Sequence, residues 1–232
     1  MKYPFKTKPY AHQLIALEKG WQKREYAYFM EMGTGKTKVI IDSAAMLFDA
    51  GEITGLLIIA PKGVYRNWSN LEIPAHMPVH IDYEMAVWSS RLGIAKKAEI
   101  NHLFHVSDAL KILVINIDAL ITKKGKLVID RFLNSRDAMM VIDESTTIKT
   151  PGAKRTKAAI KFGMWAKYRR ILTGSPITKS PLDLYKQCEF LDEYLLDHSS
   201  YYTFRSRYAT MRSANFNGRS VQLVVGYKNL AE

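Results

Sequence analysis

Short apolar runs separated by longer stretches of helical period organise this chain. Residues 26–31, 56–60, 112–115, 139–142 and 170–173 are predominantly apolar and lack the strict polar alternation of a half-exposed strand. Such runs predict strands covered on both faces, the situation of a parallel sheet with helices on either side. The intervening segments carry helix boundaries. Residues 9–20 open with proline and close with glycine, residues 36–50 are followed by Gly51, and residues 181–191 begin with proline after Ser180 in a cap position. The predicted fold class is therefore α/β. Between Asp82 and Leu110 the pattern favours neither helix nor strand. No repeat of about 20 to 50 residues and no Ser/Gly/Pro-rich linker interrupts the chain, so residues 1–232 read as one domain.

The first strand runs into Met32-Gly33-Thr34-Gly35-Lys36-Thr37 and then a helix, the strand, loop and helix order that a phosphate-binding loop requires. Gly33 and Gly35 can take positive φ and bring bare backbone N–H groups to phosphate oxygens, while the helix N-terminus adds partial positive charge. Lys36 suits the β and γ phosphates, and the Thr37 hydroxyl suits a Mg2+ ion bridging them. The longer form of this loop has a further glycine where Met30 stands here. A second signal lies at the end of an apolar run, where Met139-Met140-Val141-Ile142 leads into Asp143-Glu144-Ser145-Thr146. Open α/β sheets bind ligands at the carboxyl ends of their strands. Asp143 suits a metal ligand and Glu144 a group that polarises the attacking water, although acidic pairs at such positions also cap helices.

Charge adds a partner class. Lys and Arg number 34 against 22 Asp and Glu, a net +12 that favours polyanions. Residues 149–219 hold 14 basic and 5 acidic side chains, and so supply 14 − 5 = +9 of it. Within them Tyr201-Tyr202-Thr203-Phe204-Arg205-Ser206-Arg207-Tyr208 interleaves rings with arginines, a pattern able to stack on nucleic acid or equally to pack its rings inward. A single cysteine, Cys188, excludes an intrachain disulfide framework and a cysteine-based zinc site. His102 and His105 stand three apart on a possible helix that could hold a metal, but with no evident acidic or cysteine partner they are read as carrying none. The start lacks the apolar run of about 7 to 15 residues of a signal peptide, and nowhere do about 18 apolar residues follow one another. The expectation is a soluble, cytoplasmic protein without membrane association.

Five segments now stand in a fixed order. They are Pro9-Tyr10-Ala11-His12-Gln13, the glycine loop, Ala60-Pro61-Lys62-Gly63-Val64-Tyr65-Arg66-Asn67-Trp68, Asp143-Glu144, and Thr173-Gly174-Ser175-Pro176-Ile177-Thr178. Together they resemble the first motor lobe of superfamily-two helicases. The loop from Glu31 to Thr37, the Pro61 to Trp68 segment, Ile148-Lys149 and the Thr173 to Pro176 segment look most like the Swi/Snf-related DNA translocases, in a compact style similar to phage and bacterial members. The resemblance implies a RecA-like P-loop domain, ATP and Mg2+ as ligands, and duplex or branched DNA as partner. In a viral setting it implies the host cytoplasm as location.

Carried over by position, the resemblance implies that Gln13 reads adenine and that Met32, Gly33, Thr34, Gly35, Lys36, Thr37 and Lys38 hold the nucleotide. It implies Thr37 and Asp143 as metal ligands, with Lys36, Asp143 and Glu144 as the catalytic set. Pro61, Lys62 and Asn67 match a segment that tracks a DNA strand, with Trp68 better suited to the core. Asn116 and Lys149 join that DNA-facing set, and Thr173 and Ser175 match the motif that links nucleotide state to DNA grip. The family box reads Asp-Glu-Ala-His, whereas here Ser145 and Thr146 take the last two places, so the histidine link to the third motif is replaced and coupling is in question. The family motor also has a second RecA-like lobe that supplies arginines. Only 56 residues follow Pro176, so the expectation is the amino-terminal lobe of a longer protein. A nucleotide-gated DNA-binding module without turnover and a phosphate-loop kinase of a small molecule are the alternatives.

Overall fold

Each buried apolar run becomes a strand of one six-stranded parallel sheet. The computed structural model describes residues 2–90, 93–216 and 219–231. The strands are β1 (Glu25–Phe29), β2 (Gly55–Ala60), β3 (Tyr83–Val87), β4 (Leu110–Asn116), β5 (Ala138–Asp143) and β6 (Tyr168–Thr173), in the spatial order β1-β6-β5-β2-β4-β3. Helices α1 (Ala11–Gly20), α2 (Lys36–Asp49), α3 (Tyr65–Asn67), α4 (Ile73–His76), α5 (Ile94–His102), α6 (Lys123–Asn134), α7 (Lys154–Gly163), α8 (Asp183–Leu191) and α9 (Tyr201–Tyr208) surround it or follow it. The architecture is the expected α/β one. It resolves the ambiguous stretch 82–110 into β3, α5 and the start of β4.

Period 2 along the strands divides the core into two layers. Leu56, Ile58 and Ala60 of β2 join Val114, Met139, Val141 and Leu172 in a cluster with Leu17 of α1 and Val39 to Leu47 of α2. Leu57 and Ile59 face the other way and join Leu113, Ile115, Met140, Ile142 and Ile171 with Ile100, Ile129, Phe132, Phe162 and Phe190 of α5 to α8. Both faces of β2, β4 and most of β5 are covered, which is why those runs show no polar alternation.

The apolar pattern is broken by buried polar side chains, among them Lys111 of β4 and, most deeply, the fully buried Arg170 of β6. Its guanidinium donates to the carbonyls of Gly20 and Trp21 at 3.1 and 3.0 Å and to those of Arg24 and Arg169 at 2.9 Å. It thus closes the C-terminal end of α1, where unpaired carbonyls concentrate negative partial charge.

Beyond α8 the basic and aromatic run forms α9. Phe204 is buried, and Tyr201 and Tyr208 pack with Leu182, Tyr185, Ala209 and Met211 in a small third cluster. Tyr202 stays exposed under Arg205, 5.2 Å from the ring centre. Most rings of the run therefore pack inward. An antiparallel hairpin, β7 (Ala209–Phe216) with β8 (Arg219–Tyr227), follows. His102 meets an acidic neighbour after all: its Nε2 lies 3.3 Å from Glu84 on β3, a partner distant in sequence. Among the described residues no helix is long and apolar enough to cross a membrane.

Candidate active site

The carboxyl edge of the sheet brings three motifs together because β6 lies between β1 and β5. The first is the glycine loop between β1 and α2. Gly33 and Gly35 have φ of 78° and 76°, the left-handed conformation glycine permits at no steric cost. At Gly35 a Cβ would also sit 2.3 Å from Gln13 Nε2, so a side chain there would displace the Gln13 amide. Gly35 caps α2, whose first internal bond is Val39 N–H to the Gly35 carbonyl. The amides of Lys36, Thr37 and Lys38 precede that bond and point out of the helix end, as an anion site requires. Lys36 Nζ donates to the carbonyls of Met30 and Glu31 at 2.9 and 3.0 Å. A phosphate placed at the loop competes with two neutral acceptors for that ammonium.

Residues before β1 hold the loop from outside. Gln13 is buried, donates from Nε2 to the Thr34 carbonyl at 3.0 Å and accepts the Tyr10 amide on Oε1 at 2.9 Å. His12 Nε2 also lies 2.9 Å from that carbonyl. Gln13 therefore shapes the loop, whatever part it takes with adenine. Tyr10 is 71% exposed and stacks on the His12 ring at 5.8 Å, presenting a flat aromatic face that the sequence reading assigned no role. The Lys38 side chain turns away from the loop. Its Nζ pairs with buried Asp42 at 2.7 Å, so only the Lys38 backbone amide serves an anion. Burial pushes the Asp42 carboxyl up to about 6 despite that lysine, in keeping with an Asp42 Oδ1 that has no partner among the described residues. Loop, Tyr10, Gln13, Glu72, His76 and the acidic pair enclose a cleft of about 620 Å³.

The second motif is the acidic pair. Asp143 ends β5, and Glu144 takes φ 51° and ψ 66°, a left-handed conformation that costs a non-glycine residue roughly 1 kcal/mol or more. That turn lets the chain leave the strand into a 3₁₀ segment, Ser145–Ile148, with both carboxylates still at the edge. Asp143 Oδ1 accepts the Glu144 amide at 3.0 Å, and Oδ2 accepts the Trp68 indole N–H at 2.9 Å. Burial raises the Asp143 carboxyl above its ordinary range and Glu144 adds to this, opposed by the Trp68 bond, the Glu144 amide and Lys36. Trp68 is core, as expected, and it is also the donor that orients the carboxylate. It reaches Asp143 from the start of a π-helical turn, Trp68–Glu72, set between α3 and α4. Such turns mark places where a helix gives up regularity to aim a side chain.

The third motif ends β6. Thr173 Oγ1 donates to Glu144 Oε2 at 3.2 Å and accepts the Ser175 amide at 3.2 Å, while the Thr173 carbonyl accepts the Met30 amide at 3.3 Å. A Cβ on Gly174 would come within 3.3 Å of the Met32 amide nitrogen, so this segment lies against the loop as well. The Thr-Gly-Ser-Pro segment thereby touches both the glycine loop and Glu144. The donor set fits Mg2+ carried by a nucleotide. Among the described residues no cluster of three His, Cys, Asp or Glu groups forms a cage of its own, and Mg2+ ordinarily takes one or two protein oxygens with phosphate oxygens and water. A hydroxyl on Thr37 and a carboxylate on Asp143 are of that kind.

The expected DNA-facing residues divide into two sets. Pro61 follows β2, and Lys62, Asn67 and Ser175 are exposed at the same carboxyl edge. Asn116 and Thr173 are buried. Asn116 Oδ1 caps the 3₁₀ segment Ile117–Ile121 by accepting the Ala119 amide at 3.2 Å. Lys149 Nζ pairs with Asp183 of α8 at 2.9 Å, which neutralises its charge.

Comparison with known proteins agrees with this geometry. The SNF2-related domain matches residues 26–223. The chain is 26% identical over 206 residues to a probable ATP-dependent DNA helicase, CHR23, of Arabidopsis thaliana, covering 84% of this chain and 17% of that protein. It is 26% identical over 202 residues to the DNA annealing helicase and endonuclease ZRANB3 of Bos taurus, covering 87% of this chain and 17% of that protein. The chain thus spans less than a fifth of either relative. Among solved structures, the SWI2/SNF2 ATPase core of Sulfolobus solfataricus in complex with dsDNA superposes with a TM-score of 0.69 at 26% identity, covering 90% of this chain and 40% of that one. The domain match takes in well over half of the sequence and every motif from the glycine loop onward, and the chain belongs to the SNF2-related family.

Proposed function

We propose that this chain is the ATP-binding lobe of an ATP-dependent translocase or helicase acting on double-stranded or branched DNA. The observation that carries the reading is that the Thr-Gly-Ser-Pro segment touches both the loop and the acidic pair at one sheet edge, with Lys62 and Asn67 exposed after β2. The loop amides and Lys36 bind the phosphates. Gln13 holds the loop in shape beneath Tyr10, and Thr37 and Asp143 would hold Mg2+, which would supply positive charge against the phosphates. Glu144 orients water toward the γ phosphate, with Thr173 fixing one carboxylate oxygen so that the other remains an acceptor. Pro61, Lys62, Asn67 and Ser175 meet the DNA backbone, while Asn116, Lys149 and Thr173 act from behind that surface. A second RecA-like lobe closes over the nucleotide and converts closing and opening into movement along one strand.

The test is phosphate release from MgATP by this chain, with and without duplex DNA, beside nucleotide binding and a Lys36→Ala control. Nucleotide binding that falls at least about tenfold in the control, a loss of about 1.4 kcal/mol, is the expected result. Turnover by this chain alone places a complete site in it, binding without turnover makes it half of a motor, and binding indifferent to Lys36 overturns the reading.

A further inference from the structure

Two buried polar side chains on separate elements lie behind the carboxyl edge and are bonded to each other. Ser145, the residue after Glu144, and Gln187 of α8 are both fully buried. Ser145 Oγ donates to Gln187 Oε1 at 2.5 Å. Gln187 Nε2 donates to the Pro176 carbonyl at 2.7 Å and to the Asp183 carbonyl at 2.8 Å. A buried amide is costly unless its donors and acceptor are met. Here the oxygen and both N–H groups have partners, which fixes the side chain and ties the acidic box to the end of Thr173-Gly174-Ser175-Pro176.

One turn earlier on the same helix, Asp183 makes a parallel tie. It accepts Lys149 Nζ at 2.9 Å from the far end of the 3₁₀ segment, and the amides of Thr178 and Lys179 at 3.1 and 3.0 Å from the loop beyond Pro176. Residues four apart on a helix share a face, so α8 grips both ends of the acidic-box segment and both parts of the following loop. In this chain the Ser145 hydroxyl, through the Gln187 amide on another helix, links the acidic box to the Pro176 carbonyl.

We propose that Ser145, Gln187 and Asp183 form a bracket on α8 that makes the acidic box and the DNA-side loop move as one unit, with Gln187 as its positioning residue. The proposal rests on the motor reading above. It assigns Gln187 to the coupling between nucleotide and DNA and to neither affinity alone.

The experiment measures the Kd of the chain for a short duplex with and without Mg2+ and a non-hydrolysable ATP analogue, and nucleotide affinity separately. The main variant is Ser145→Ala/Gln187→Leu, which removes both partners of the bond at similar volume and so avoids leaving one hydroxyl unsatisfied. Gln187→Glu is the second variant, retaining an acceptor for Ser145 but no donor for Pro176. In the unaltered chain nucleotide should change the DNA Kd by on the order of fivefold or more. In each folded variant that ratio should fall to within about twofold of unity, with nucleotide affinity unchanged. A folded variant that keeps the full ratio overturns the bracket and leaves the motor reading intact. An unaltered chain that binds nucleotide through Lys36 but shows no ratio also overturns it. Nucleotide binding indifferent to Lys36 overturns the motor reading itself.

Discussion

Asp143 is useful to a metal only if its carboxylate is ionised and aimed, and Trp68 serves both needs with one N–H. The indole bond opposes the burial that raises the carboxyl, and it holds Oδ2 at 2.9 Å from the N–H of a buried ring. Hydrogen bonds to charged groups are worth about 1.5 to 3 kcal/mol. Trp68→Phe retains most of the ring volume and removes the donor. It should lower affinity for MgATP by about tenfold, equivalent to 1.4 kcal/mol, while nucleotide without Mg2+ binds as before. Calorimetric titration with and without the metal checks this, and equal losses in both would assign Trp68 to packing alone.

At the scale of elements, the edge strand β1 and helix α1 depend on a side chain that an apolar strand would not be expected to hold. Arg170 bonds carbonyls at the end of α1 and in the turn to β1, so Arg170→Met, which fills the space, leaves those carbonyls without their donor. The variant should lose about 2 to 4 kcal/mol in urea unfolding, since the unsatisfied acceptors outweigh the relief of burying one charge less. An unchanged midpoint would show that water or a shifted α1 replaces the bonds. Arg170 also shows where sequence reading stops. The strands β2, β4 and β5 are legible because both faces are covered, and the glycine loop and acidic pair because their chemistry is written in consecutive residues. The edge strand β3, with Tyr83 and Glu84 only half-buried, carries no such run. Val221, Leu223, Val224 and Val225 of β8 are exposed, so their pattern marks no core face. The bonds Trp68–Asp143, Ser145–Gln187 and Arg170–Gly20 join residues 75, 42 and 150 positions apart. Local period and spacing carry no information about such pairs, and Asn116 and Lys149, read as surface contacts, turn out to be held by a cap and an ion pair for the same reason.

For the whole molecule, a net charge of +12 does not say which cations DNA would meet. In the strongly basic stretch 149–219, Lys149 pairs with Asp183, Lys167 with Glu52 and Asp137, Arg169 with Glu25 and Lys186 with Glu189, while Arg170 is spent on carbonyls. Lys62, by contrast, is exposed just after the carboxyl end of β2. Binding driven by phosphate contacts weakens linearly in log K against log salt, by about 0.9 per phosphate neutralised. Lys62→Ala should therefore reduce the magnitude of that slope by about one unit and weaken binding to all duplex sequences alike. Lys167→Ala removes the same formal charge at the start of β6, on the opposite edge, and should leave the slope unchanged. Fluorescence anisotropy of a labelled duplex over a salt series measures both. Equal effects of the two substitutions would mean that DNA responds to total charge, and the carboxyl edge would lose its claim to be the DNA-binding surface.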